Sequence, residues 1–224
     1  MRTRIKICCI SSWEEAGMAI NAGADALGLV GRMPSGPGPI EDELIESIAR
    51  KIPPPLASFL LTSEQSAAGI IAHVKRTHTN TVQIVDELTS GHYDEIREAL
   101  PALRIVQVIH VRSRQNIDEA LRLEKFVDAF LLDSGNPNAA IKTLGGTGDR
   151  HDWDISCDLV KAVSRPVFLA GGLNAGNVGE AIEKVKPFGV DVCSGVRTGG
   201  RLDIQKLNEF IKAVRECISR EGAE

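Results

Sequence analysis

Aromatic rings are scarce in this chain: one tyrosine, two tryptophans and six phenylalanines among 224 residues. So few rings make no base-stacking platform. The charge balance, 26 Lys and Arg against 30 Asp and Glu for a formal net charge of −4, gives no basic surface for a nucleic-acid backbone. No stretch approaches the roughly 18 to 20 apolar residues of a membrane helix, so neither nucleic acid nor membrane is an expected partner. The segment Met1 to Ile10 lacks the apolar core of a secretory signal. The five cysteines (Cys8, Cys9, Cys157, Cys193, Cys217) are odd in number and scattered, which argues against a disulfide framework. Cys8-Cys9 is followed by no second pair at zinc spacing, and the five histidines form no metal motif. A metal-free protein of the reducing cytoplasm is expected. What is present is ordinary for a globular protein: 43% hydrophobic and 25% charged residues, with a slight excess of glycine at 21.

Apolar segments of two lengths alternate. The short ones, rich in Val, Ile, Leu and Phe, are Ile5–Cys8, Ala26–Val30, Leu56–Leu61, Thr81–Val85, Ile105–His110, Ala129–Leu132, Val167–Ala170 and Val190–Cys193. Near-continuous apolar runs of that length suit strands buried on both faces. Helical periodicity marks Ser12–Asn21, Glu41–Ile52, Ser63–Thr77, Tyr93–Leu100, Ser113–Leu123, Asp154–Ser164, Asn177–Lys186 and Asp203–Ser219. Ser12 and Ser113 read as N-caps, and Pro53-Pro54-Pro55 stops the second helix. A weak repeat places an aspartate at three strand starts: Asp25, Asp128 and Asp191.

Strict strand–helix alternation implies βαβ units and a parallel sheet. Eight units of about 28 residues with no remainder predict a single (β/α)8 TIM barrel over residues 1–224, an α/β fold. The runner-up, an open doubly wound sheet, would be favoured by a glycine fingerprint after the first strand. That turn reads Cys8-Cys9-Ile10-Ser11-Ser12 instead.

In a barrel the chemistry belongs at the C-terminal ends of the strands. Strands 7 and 8 are followed by Gly171-Gly172 and Ser194-Gly195. Glycines let backbone N–H groups approach an anion, and barrels commonly bind phosphate at this point. Asp133 ends strand 6 ahead of a long loop holding Gly145-Gly146-Thr147-Gly148. A carboxyl on a buried strand end is a candidate general acid, and equally a cap for a neighbouring turn. Cys8 ends strand 1 and is a candidate base or nucleophile, although a buried cysteine more often serves as a small hydrophobe. Strand alternation sends Cys8 and Cys9 to opposite faces.

Several of these segments together resemble a known family. They are Lys6-Ile7-Cys8, Gln83, Leu132-Asp133 followed by Gly145 to Gly148, Asp152-Trp153, Leu169 to Asn174 with Asn177-Val178, and Val190-Asp191-Val192 with Ser194-Gly195-Val196. In order and spacing they resemble phosphoribosylanthranilate isomerase of tryptophan biosynthesis, from residue 4 to about residue 215. The resemblance implies a cofactor-free Amadori rearrangement of a small phosphorylated substrate, and a barrel of this size can be a monomer or a homodimer. An acid at Asp133 would open the furanose ring and a base at Cys8 would remove the C2′ proton. It also implies a phosphate grip at Gly171, Gly172, Ser194 and Gly195, with Lys6, Gln83 and Gly146 among the substrate contacts.

The sequence departs from the family at the aryl end. Cys9 replaces a glycine, and Pro37 an arginine expected to hold the anthranilate carboxylate. Val85 and Asp86 replace a His-Gly pair, His151 an aromatic, and Arg197 an acidic residue. A lost bidentate arginine contact is worth about 1.5–3 kcal/mol, and Arg32 and Arg197 are the candidates to replace it. Three functions are therefore open at this point. They are the family reaction with a rebuilt pocket, the same isomerisation on another N-phosphoribosyl or sugar-phosphate substrate, and a non-catalytic barrel that binds a phosphorylated ligand.

Overall fold

The computed structural model describes residues 2–134 and 152–221. Eight parallel strands close into a barrel in sequence order, with β8 pairing back onto β1. They are β1 (Arg4–Ile7), β2 (Ala26–Val30), β3 (Ala57–Thr62), β4 (Thr81–Ile84), β5 (Arg104–His110), β6 (Ala129–Asp133), β7 (Val167–Leu169) and β8 (Gly189–Val192). Between them run α1 (Trp13–Ala22), α2 (Asp42–Ala49), α3 (Ala67–Thr77), α4 (Tyr93–Ala99), α5 (Gln115–Leu123), α6 (Trp153–Ala162) and α7 (Val178–Val185). α8 (Ile204–Glu221) follows β8 and packs against both α7 and α1, closing the outer ring. The expected (β/α)8 barrel is the observed fold. No described helix is long and apolar enough to cross a membrane.

Period-two alternation along the strands divides the interior into two cores. Ile5, Ile7, Leu27, Leu29, Val82, Ile84, Leu132 and Leu169 face outward and pack under the helices. Cys8, Phe59, Leu61, Val106, Val108, Leu131, Phe168 and Ala170 fill the lumen. Phe168 needs the bare backbone of Gly189, whose Cβ would lie 2.6 Å from its ring.

Local chemistry sets the ends of the elements. Ser12 Oγ accepts from Glu15 N and caps α1. α3 starts later than its periodicity suggests, because Ser66 rather than Ser63 caps it, accepting from Gly69 N. Ser113 does not cap α5. Asn116 Oδ1 folds back to accept from the N–H groups of Arg112 and Ser113, which delays the helix to Gln115.

The aspartate repeat splits into two roles. Asp25 and Asp128 precede β2 and β6 and accept from the N–H of Ile5 and Ile105, tying each strand to the one before it. Asn80 does the same before β4, accepting from Ser58 N. Asp191 is instead the third residue of its strand and points into the lumen.

Candidate active site

The lumen opens at the C-terminal ends of the strands into a cavity whose lining includes Cys8, Gln83, Asp133, Gly171, Gly172 and Ser194. Six positions singled out in the sequence thus come together from β1, β4, β6 and the loops after β7 and β8. Among the described residues no group of three or more His, Cys, Asp or Glu side chains could hold a metal.

Lys6 forms the floor. Two residues before Cys8 on the same face, its side chain is completely buried, and Nζ donates to Asp191 Oδ1 at 2.8 Å. The ammonium also lies 5.2 Å from the centre of the Phe59 ring, a cation–π contact. Burial pulls the Lys6 pKa down, but the Asp191 carboxylate outweighs it and the net shift is upward, so Lys6 stays charged. Sequence reading missed Asp191 as a site residue. The available signal was a lysine and an aspartate each set inside an apolar strand, and the β1–β8 register places them side by side.

Gly28 lets this floor and Cys8 coexist. A Cβ there would sit 2.9 Å from Cys8 Sγ and 3.1 Å from both Lys6 Nζ and Cys8 Cα. Gly28→Ala is expected to destabilise the protein by about 1–3 kcal/mol through overpacking. It should lower kcat more than it raises KM, because the Cys8 thiol is displaced while the glycine loops after β7 and β8 are untouched. Thermal melts and steady-state kinetics on one preparation check both parts.

Asp133 is buried at the end of β6, and its Oδ1 accepts from Ser134 N at 2.8 Å. Burial raises its pKa. The Ser134 N–H bond, His110 and Lys6 pull it back and Asp191 adds to the rise, with a net shift upward. A carboxyl pushed toward its protonated form in this way is better able to donate than an exposed one. His110, opposite Asp133 in the β5–β6 register, brings Nε2 within 2.9 Å of the Val85 carbonyl. That contact requires Nε2–H to be the donor, so the proton is on Nε2. His110 lines the neighbouring cavity and not the one above Asp133.

Gln83 is buried in the wall, and its Oε1 has no hydrogen-bond donor among the described residues. An unsatisfied buried acceptor costs about 1–3 kcal/mol, and here it belongs to a residue that lines the cavity. Gly171 and Gly172 have φ of +83° and +64°, a backbone region that disfavours side chains. Asn177 Nδ2 donates to the Gly172 carbonyl at 2.9 Å and fixes this turn. Ser194 opens a 3-10 turn, Ser194–Val196. Gly195 is behind the lining, where a Cβ would meet the Leu173 carbonyl at 2.0 Å. Its bareness lets the β7 and β8 loops touch.

The two arginines offered as carboxylate partners differ in fate. Arg32 is exposed on the segment 31–39, which contributes Met33, Ser35, Gly36 and Pro37 to the cavity wall. Arg197 corrects the sequence-based expectation. Its guanidinium makes a bidentate pair with Glu15, both contacts at 3.0 Å, and Nη2 also donates to the carbonyls of Cys8 and Cys9. It braces the β1 terminus from outside the cavity. Glu15 had no sequence signal beyond a place in the first turn of α1.

The expected opposite facing of Cys8 and Cys9 is also corrected. β1 ends at Ile7, and Cys9 takes a φ of +62°, which turns its side chain so that both cysteines line the cavity. Cys9 Sγ lies 3.6 Å from the Pro37 carbonyl, and a Cβ on Gly38 would be 2.7 Å from Cys9 Cβ. Three of the departures, Cys9, Pro37 and Arg197, therefore form one contact cluster. Gly146 and His151, with the 145–148 glycine loop, are outside the described residues.

A parallel barrel with a buried acid, a thiol and paired glycine loops around its C-terminal mouth defines a (β/α)8-barrel enzyme. Residues 5–213 match the family described as N-(5'-phosphoribosyl)anthranilate (PRA) isomerase. The chain belongs to that family of isomerases. A relative from Methanosarcina mazei, an N-(5'-phosphoribosyl)anthranilate isomerase, is 40% identical over 210 residues, covering 93% of this chain and 92% of its own. One from Methanocella arvoryzae is 34% identical, covering 95% and 98%. Among solved structures, phosphoribosyl anthranilate isomerase from Thermotoga maritima superposes with a TM-score of 0.78 at 28% identity, covering 96% of this chain and 99% of its own. A phosphoribosyl anthranilate isomerase in complex with reduced 1-(o-carboxyphenylamino)-1-deoxyribulose 5-phosphate gives a TM-score of 0.75 at 26% identity, with the same coverage.

Proposed function

We propose that Asp133 and Cys8 act as acid and base in the Amadori rearrangement of N-(5'-phosphoribosyl)anthranilate, the isomerisation for which the family is named. The observation that carries this reading is a carboxyl held toward its protonated form by burial, lining one cavity with a thiol. Asp133 donates its proton to the furanose ring oxygen, and the ring opens to a Schiff base. Cys8, as thiolate, removes the C2′ proton, and the resulting enolamine tautomerises to the ketone. The chemistry asks one group to hold a proton while the other has lost it at the same pH.

The substrate phosphate is assigned to the backbone at Gly171, Gly172 and Ser194, with Gly195 allowing the two loops to close on it. Gln83 Oε1 accepts a hydrogen bond from a substrate N–H or hydroxyl, which supplies the donor it lacks. The aryl group faces Met33, Pro37, Val85 and Leu131, an apolar wall suited to a ring. Arg32 is the proposed partner of the aryl carboxylate, because its segment forms that wall. The partner is thus a small phosphorylated molecule, and the proposed place of action the cytoplasm.

Complementation of a tryptophan auxotroph lacking this isomerase, with a direct assay on N-(5'-phosphoribosyl)anthranilate, tests the reading. Growth and turnover are expected from the wild type and not from Cys8→Ala or Asp133→Ala. A folded wild-type protein with no turnover would sink it. The pH dependence is a separate check. Because the acid must be protonated, kcat/KM should fall as pH rises through the elevated pKa of Asp133. A rate that climbs steadily with pH would assign Asp133 another role.

A further inference from the structure

Cys9 and Cys193 stand outside the proposed chemistry, yet their sulfurs are 2.7 Å apart although the residues are 184 positions apart in the chain. We propose that they form an oxidisable dithiol that closes to a disulfide across the β1–β8 seam when the protein meets a low-molecular-weight disulfide.

The geometry arises from features already described. Ile7 is in register with Val192, and Cys8 N donates to the Val192 carbonyl at 2.8 Å, so the two strand ends run side by side. The left-handed turn at Cys9 then swings its side chain back toward β8. A disulfide has an S–S bond of about 2.05 Å, so closure asks for a contraction of well under 1 Å. Access and ionisation both favour Cys193 as the attacking group. It is partly exposed where Cys9 is buried. Its hydrogen bond with Cys9, against the cost of burial and helped by Arg197, holds its pKa below the usual thiol range. Hydrogen bonds to Cys193 and Cys8, with burial, push that of Cys9 up.

The reaction balances as thiol–disulfide exchange. Cys193 thiolate attacks one sulfur of glutathione disulfide, forms a mixed disulfide and expels one glutathione thiolate. Cys9 then loses its proton, attacks the protein-side sulfur of the mixed disulfide and expels the second glutathione. Two protein thiols are oxidised, one glutathione disulfide is reduced to two glutathiones, and Cys8 keeps its thiol. The new bond joins the first and last strands, the seam at which a barrel made from one open chain would otherwise come apart. Cross-linking so distant a pair constrains the unfolded chain strongly.

The native protein is incubated with excess glutathione disulfide, quenched by alkylation and mapped by tryptic digestion without reductant. The expected species is the peptide 7–32 linked to the peptide 185–197, absent after dithiothreitol treatment and absent from Cys9→Ser and Cys193→Ser. Cys8 in the linked species should still be alkylated, and Tm of the oxidised wild type should rise by several degrees. Persistence of the link in Cys9→Ser would show that Cys8 is the partner and overturn the proposal. So would finding Cys9 and Cys193 both alkylated, or both held only as glutathione adducts, in folded wild type. The mapping needs no turnover, so its result is independent of the assay for the proposed function.

Discussion

Asp133→Asn is expected to lower kcat by about 100- to 10,000-fold, the usual worth of a positioned general acid, and at the same time to raise Tm near neutral pH. Both effects have one origin. Burial lifts the folded-state pKa of this carboxyl above its unfolded value of about 3.9. The stability it contributes is complete below the unfolded pKa and is lost as pH rises through the folded pKa. At neutral pH a buried carboxylate works against the fold, and a neutral amide of the same shape removes that cost. The gain in Tm should therefore shrink toward zero in acid. Melts from pH 3 to 8, run beside kinetics, test the pair of effects. A variant that is both less active and less stable at pH 7 would mean that the carboxylate is a structural partner.

Arg197→Met is expected to cost about 3–5 kcal/mol, the range for removing one partner of a buried ion pair. Neither side chain of the pair is more than a tenth exposed, with 8% for Arg197 and 9% for Glu15. Burial pushes the Glu15 pKa up, while Arg197 and the N–H groups of Leu202 and Ser11 pull it further down. Glu15 thus contributes stability above its unfolded pKa, and the contribution is lost as pH falls through the folded value. The gap between variant and wild type should narrow in acid. The Cys8 and Cys9 carbonyls lose their donor in the same variant, so kcat should fall even where the protein remains folded. The double variant Glu15→Gln with Arg197→Met removes the stranded carboxylate and should recover part of the stability but not the rate. Urea unfolding at pH 7 and pH 4 measures the first effect, and turnover by the double variant the second.

The barrel and half of the candidate site were legible from the chain. Strand–helix alternation is a property of local pattern, and eight equal units leave little choice of architecture. Cys8, Asp133, Gly171-Gly172 and Ser194 were found because a barrel places its chemistry after strands, and strand ends can be read directly. Gln83 came from the family motif alone, and the structure adds its unsatisfied oxygen. Lys6 came from the family motif as well, and the structure adds the buried pairing of its ammonium with Asp191. That pairing depends on the register of the first strand against the last, between residues 185 positions apart. A short antiparallel hairpin was also missed. β9 (Arg197–Thr198) and β10 (Arg201–Leu202) turn through Gly199-Gly200, both at positive φ, which is the two-residue turn such a glycine pair favours.

By itself the sequence determined what local pattern and local order can express: eight βα units, the buried faces of each, and the residues that end each strand. Tertiary structure alone decided the aim of the side chains at the mouth. The capture of Arg197 by Glu15 and the meeting of Cys9 with Cys193 each depend on elements brought together by ring closure. Closure joins the two ends of the chain, and no local window of sequence contains both.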